Sequence, residues 1–144
     1  RQIIYMSTAR AGTSEATVRA ILEKSKVNNA ESSIHGALLF DGTHFLQLLE
    51  GEDDKLDELY KVIAADRRHH EVQKLVDGPI EEFRFSNWLM AYIPFSEVRN
   101  SKELAQCSKV LDRFSKKDLE AEEAQFLFDR LYLALWKSGA IVEK

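Results

Sequence analysis

The apolar pattern of this chain predicts an α+β sandwich in which the elements run β-α-β-β-α-β-β and two further helices close the C-terminus. Short runs of β-forming residues alternate with two stretches of helical period, and Asp41-Gly42 between two of those runs is a strong hairpin turn signal. No Pro-, Gly- or Ser-rich linker interrupts the order, and 144 residues suit one core rather than two.

Ile3 to Ser7 reads as the first strand. Ala11-Gly12-Thr13-Ser14 breaks it, Thr13 or Ser14 is placed to cap a helix, and Glu15 suits the first turn. That helix is expected from Ser14 to Asn29, with Val18, Ile21 and Leu22 as its apolar stripe. The same spacing runs on through Ser25 to Asn29, so the buried face turns polar at its C-terminal end. Strands follow at Gly36–Phe40 and His44–Glu50.

After Gly51, the acidic Glu52-Asp53-Asp54 suits a helix N-terminus, and Leu56, Leu59, Tyr60 and Ile63 carry a second helix to about Asp66. Val72–Val76 and Asn87–Ile93 are the remaining strands, parted by Gly78-Pro79. This is a ferredoxin-like sandwich with one added strand. Val98–Val110 is a weak helical stretch and Ser115 to Ser138 a longer one, striped by Ala124, Phe128, Leu131 and Leu135 and widened by Leu127, Tyr132 and Trp136. Both faces of His44–Glu50 are apolar, and two helices cover one face of a sheet. The C-terminal helices, or a partner subunit, are therefore expected on the other. Residues 1–95 are read as the core unit and 96–144 as a helical extension without independent stability.

With 44% apolar and 31% charged residues the composition is that of a soluble globular protein, and a net charge of −4 argues against a nucleic-acid partner. Cys107 is the single cysteine, which excludes an internal disulfide and fits a reducing cytoplasm. Arg1-Gln2-Ile3-Ile4-Tyr5 shows neither a signal-peptide apolar region nor an initiator Met, so the start is read as trimmed. No run approaches the ~20 apolar residues of a spanning helix, and no membrane partner is expected.

Gln47 is the anomaly, a lone amide inside Phe45-Leu46-Gln47-Leu48-Leu49. A buried amide left without partners costs roughly 1–3 kcal/mol, so Gln47 implies a polar neighbour in the core. Tyr5, alternating with Ile3 and Ser7 on a central strand, reads by itself as a structural tyrosine, and Asn28-Asn29 by itself as a helix end. Together with Ser25 and Gln47 they bring neutral donors and acceptors between the first helix and the sheet, which suits the edge of a planar heterocycle. Asp66-Arg67-Arg68-His69-His70 offers Arg68 as a phosphate or ribityl fork, against the plainer reading of a solvated helix end. The histidines lack a third ligand for a metal. Trp88 and Met90 are expected on one face of the last strand, with Tyr92 beyond.

Tyr5 with Ser7, Ser25-Lys26-Val27-Asn28-Asn29, Ile34-His35-Gly36-Ala37-Leu38-Leu39-Phe40, Phe45-Leu46-Gln47-Leu48-Leu49-Glu50-Gly51, Asp66-Arg67-Arg68-His69 and Phe85-Ser86-Asn87-Trp88-Leu89-Met90 follow in one order, and that pattern over residues 3 to 93 resembles the BLUF domain of flavin-using blue-light sensors. The resemblance implies a noncovalent FAD whose ring lies between the two sheet-flanking helices. It implies Asn29, with Asn28 and Ser25 nearby, at one polar ring edge, Gln47 at another, and Asp66, Arg68 and, more weakly, His69 toward the remaining edge or the ribityl chain. Tyr5, Gln47, Trp88 and Met90 are implied as the photoactive set, with Tyr5 the electron and proton donor and Gln47 the amide that reorients. Leu89 and Ala91 depart from the family's more frequent residues there, which bears on strand mobility rather than flavin binding. The function so implied is a noncatalytic photoreceptor signalling to a separate downstream protein or through its own homo-oligomer. The rivals are an acylphosphatase-like hydrolase, disfavoured because no glycine-rich phosphate loop leads into an arginine, and a chromophore-free binding module.

Overall fold

The structure, a computed structural model, describes residues 1–138 apart from Asn87 and apart from the side chains of residues 103 and 135–138. β1 (Gln2–Ala9) leads into α1 (Glu15–Ser32), β2 (His35–Phe40) and β3 (His44–Glu50). α2 (Asp53–Ala65), β4 (His69–Gly78) and β5 (Ala91–Pro94) complete the sandwich. The sheet order is β4-β1-β3-β2-β5, antiparallel throughout except for the parallel β2–β5 pair. This is the expected ferredoxin-like arrangement with its added strand.

Local chemistry sets the boundaries. Ser14 caps α1, its hydroxyl accepting from the Thr17 amide at 3.2 Å, and Ser33 ends the helix in the left-handed region at φ 54°. In the hairpin, Asp41 Oδ1 accepts from the amides of Thr43 and His44, and Gly42 takes φ 100°. Tyr5 lies opposite Gln47 across the β1–β3 ladder, and Leu38 lies opposite Gln47 on the other side. Strand pleating thus puts Tyr5, Leu38, Phe45, Gln47 and Leu49 on one face.

That face packs against Val18 and Leu22 of α1 and Leu56 of α2. The opposite face, with Ile4, Met6, Leu39, Leu46 and Leu48, packs against Leu111, Phe114, Leu127, Phe128 and Leu131 from the C-terminal helices. Those helices are more segmented than the sequence pattern suggests: α3 (Phe95–Asn100), a 3-10 turn (Lys102–Cys107), α4 (Ser108–Ser115) and α5 (Ala121–Ser138). Each short piece turns one to three apolar residues inward, Val98, Leu104 and then Val110, Leu111 and Phe114. Cys107 is fully buried among them, and burial pushes its thiol up, so it packs as a small hydrophobe. The expected side-chain positions of Leu135 and Trp136 lie outside the described residues, as do residues 139–144.

The last strand corrects the sequence reading. It covers Ala91–Pro94 rather than Asn87–Ile93, and Trp88 does not share a face with Met90. The Trp88 amide closes a turn on the Phe85 carbonyl at 2.9 Å, so the period-2 parity of a strand does not hold there. Trp88 packs with the C-terminal helices, ring to ring with Phe85, while Met90 and Tyr92 belong to the α1–α2 side.

A cleft between two helices and the sheet

Between α1, α2 and the sheet lies a cavity of about 260 Å³, near the lower end of the ~300–1,000 Å³ typical of small-molecule sites. Tyr5, Ser25, Asn28, Asn29, Gln47, Asp66, Arg68, His69 and Met90 all line it, so every sequence-derived site residue except Trp88 meets there. α1 presents Leu22, Ser25 and Asn29 at helical spacing, which is why its stripe turns polar where it enters the cleft. Leu59, Val62 and Ile63 of α2 form the facing apolar wall.

The floor is a hydrogen-bonded row. The Tyr5 hydroxyl donates to Gln47 Oε1, and Gln47 Nε2 donates to Met90 Sδ at 3.2 Å. Tyr5 and Gln47 are 4% and 7% exposed, so the row is shielded from bulk water by the strands that carry it. Burial also holds the Tyr5 phenol well above its ordinary value, keeping it protonated and a donor. Asn29 Nδ2 donates to the Leu89 carbonyl at 2.8 Å, which leaves its oxygen as an acceptor for something else.

At the other end, Arg68 Nε donates to Asp66 at 3.0 Å, and this pairing lowers the Asp66 carboxyl below its usual range. His69 is committed to the protein: Nε2 contacts the Ile63 carbonyl at 2.6 Å and so donates, while in the neutral ring Nδ1 accepts from Ser7 Oγ at 2.7 Å. Its ring stands edge-on to Tyr5 with centroids 6.3 Å apart. His69 is thereby a wall that fixes Tyr5 from the β4 side.

Sequence reasoning missed Gln47's sulfur partner and the Leu89 carbonyl on Asn29, because both come from an irregular segment to which no hydrophobic period applies. It also missed Ser7 as the partner of His69, for which the shared parity of Tyr5 and Ser7 was a usable signal.

Residues 1–91 match the family of sensors of blue-light using FAD. The chain is 32% identical over 74 residues to the blue light- and temperature-regulated antirepressor BluF of Escherichia coli K12, covering 51% of this chain and 18% of that protein. It is 30% identical over 93 residues to the photoactivated adenylate cyclase subunit beta of Euglena gracilis, covering 62% of this chain and 11% of that one. The chain thus spans under a fifth of the length of these relatives. The dark-state structure of BlrB, a BLUF protein, superposes with a TM-score of 0.79 at 29% identity, over 93% of this chain and 96% of that one. A row of buried tyrosine, glutamine and methionine at the floor of a helix-walled cleft, on this topology and with this match, leads to one assignment: the chain belongs to the BLUF family of blue-light sensors that use FAD.

Proposed function

We propose that the cleft binds FAD through Ser25, Asn28, Asn29, Gln47, Asp66 and Arg68, and that Tyr5, Gln47 and Met90 convert its excitation into a conformational signal. The residues present fit a flavin. Val62 lines the cleft yet is 67% exposed, an apolar surface that a planar ring would cover, and Ser25 and Asn28 make no side-chain hydrogen bond among the described residues. Bound there, FAD supplies blue-light absorption and an electron-accepting ring.

The row Tyr5–Gln47–Met90 is the observation that carries the reading. Tyr5 is an oxidisable phenol whose proton already points at Gln47 Oε1. Gln47 has one accepting and one donating end, so rotation or tautomerisation exchanges the two without leaving its strand. After rotation, Nε2 donates to the Tyr5 oxygen and Oε1 faces Met90 Sδ, an acceptor that has nothing to donate. Met90 is then released, and with it the backbone that runs through Leu89 to Trp88 and the C-terminal core. Trp88 acts, in this reading, from the helical side of the sheet rather than from the cleft.

The chain itself is a switch, not a catalyst, and its output is a contact made by the C-terminal helices with a separate downstream protein or a second copy. Relatives named as an antirepressor and as adenylate cyclase subunits support an output carried by effectors of different kinds. Among the described residues no helix is long and apolar enough to cross a membrane; a cytoplasmic location is part of the proposal. Absorption spectra before and after blue light test the reading: a flavin spectrum that shifts red on illumination and returns in darkness is expected, and a colourless protein that refuses added FAD would sink it.

A further inference from the structure

Glu50 closes β3 and is a buried carboxylate, 1% exposed, that the light response as described does not use. By strand parity it points away from Gln47, toward the opposite face. Oε1 takes the Phe85 amide at 2.7 Å and contacts His35 Nδ1 at 3.0 Å, while Oε2 takes the Arg84 amide at 3.1 Å. Arg84 and Phe85 lie between β4 and β5, outside any strand, so their amides have no ladder partner. Buried amides need acceptors, and here one side chain supplies both. A carboxylate accepts at both oxygens; an amide in its place would turn a donor toward one of them.

From that point four hydrogen bonds lead to the cleft. The Phe85 carbonyl accepts from Trp88 N–H at 2.9 Å, the Trp88 carbonyl from Gly36 N–H at 3.3 Å, the Leu89 carbonyl from Asn29 and Met90 Sδ from Gln47. Phe85, Leu89 and Met90 are thus held by a carboxylate on one face of the sheet and by two cleft amides on the other. At the carboxylate end, Phe85 packs edge-on to Phe128 and Tyr132, and Arg84 pairs with Asp129, all on α5.

We propose that Glu50 is a positioning residue: it anchors the segment carrying Trp88 and Met90, confines light-driven movement to Trp88, Leu89 and Met90, and returns them to their dark position. The inference rests on the reading of Gln47 and Met90 above. The test uses the full FAD-loaded chain, wild type and Glu50→Gln, followed by the red shift, the dark-recovery rate and amide hydrogen exchange in light and dark. Glu50→Gln is expected to keep the red shift, since Tyr5 and Gln47 are intact, and to recover about tenfold more slowly, the scale of one lost hydrogen bond to a charged group. A purely structural role would lower Tm and leave the recovery rate of the folded protein unchanged, and that result overturns the anchor. If Glu50→Gln does not fold, the wild type decides: the Arg84 and Phe85 amides are expected to exchange equally in light and dark, with the Trp88 amide about tenfold faster in light. Equal acceleration at all three overturns the proposal. Absence of any red shift in the wild type sinks the cleft reading and the anchor together, whereas a normal red shift with unchanged Glu50→Gln recovery removes the anchor alone.

Discussion

Replacing Tyr5 with Phe removes one oxygen from the floor of the cleft and leaves the ring that packs on Tyr60 and His69. The lost hydroxyl is the donor to Gln47 Oε1, in a site where Tyr5 is 4% exposed. A buried acceptor stripped of its donor costs about 1–3 kcal/mol, and the phenylalanine recovers part of this because it has no hydroxyl to desolvate, so a net loss of about 1–2 kcal/mol is expected. For a chain of this size that is a fall in Tm of roughly 3–8 °C, readable by thermal melting of the FAD-loaded protein. Flavin binding is expected to survive, because Ser25, Asn28, Asn29, Asp66 and Arg68 are untouched, and the light-induced red shift is expected to vanish. Tyr60→Phe is the control: its ring centroid lies 5.9 Å from that of Tyr5, but its hydroxyl takes no part in the row, so the red shift should persist. A normal red shift in Tyr5→Phe, or its equal loss in Tyr60→Phe, refutes the reasoning.

Met90→Leu keeps the volume at a cost under ~1.5 kcal/mol but removes the sulfur that accepts from Gln47 Nε2, so the dark-recovery rate should change while Tm barely moves; an unchanged photocycle would detach Met90 from the row. Gly36→Ala should destabilise by at least about 2 kcal/mol in denaturant titration, because a Cβ there would sit 1.9 Å from the Leu48 carbonyl oxygen, and an unshifted midpoint would contradict that close approach. The native Cys107 thiol should react with a bulky disulfide reagent at least about tenfold more slowly than in the unfolded chain; equal rates would mean that the helical core opens readily. Asp66 is lowered by its hydrogen bonds to Arg68, so its contribution to stability is present above the ordinary value of 3.8 and is lost as pH falls below it. Asp66→Asn should therefore flatten the acid limb of a stability-against-pH curve, and an unaltered limb would remove the pairing from the energetics.

The sandwich was legible because hydrophobic period reports it: β3 has the same bounds by pattern and by structure, and α1 and α2 differ only at their ends. The cleft residues were legible for the same reason, since Ser25 and Asn29 continue the Val18–Leu22 stripe and Gln47 interrupts a strand whose parity is plain. The segment from Pro79 to Met90 was not, because its course is set by anchors distant in sequence. Glu50, Asn29 and Gly36 hold it, and nothing in its own composition announces them. Reading it as strand gave Trp88 the parity of Met90 and so the wrong face. The segmentation of residues 95–115 was missed for a related reason: each piece is too short to establish a period.

The choice of sulfur as the second partner of Gln47 has an energetic consequence. A thioether is a weak acceptor, so the contact at 3.2 Å contributes less than the Tyr5 hydroxyl does at the other end of the amide. The dark arrangement is therefore held mainly by Tyr5, and exchanging the ends of Gln47 keeps a bond to Tyr5 while sacrificing the weaker one. Two arrangements that differ by only the weaker contact lie close in energy, which is what a reversible switch requires. Replacing the thioether by a stronger acceptor that has no donor of its own, as in Met90→Glu with the carboxylate ionised, should deepen the dark well: the side-chain oxygen would take the Gln47 Nε2 proton in a full hydrogen bond. The lit state should then decay faster and accumulate less under constant illumination, both measured from the red-shifted absorbance. A longer-lived lit state in that variant would show that Met90 is not what the amide gives up when it turns.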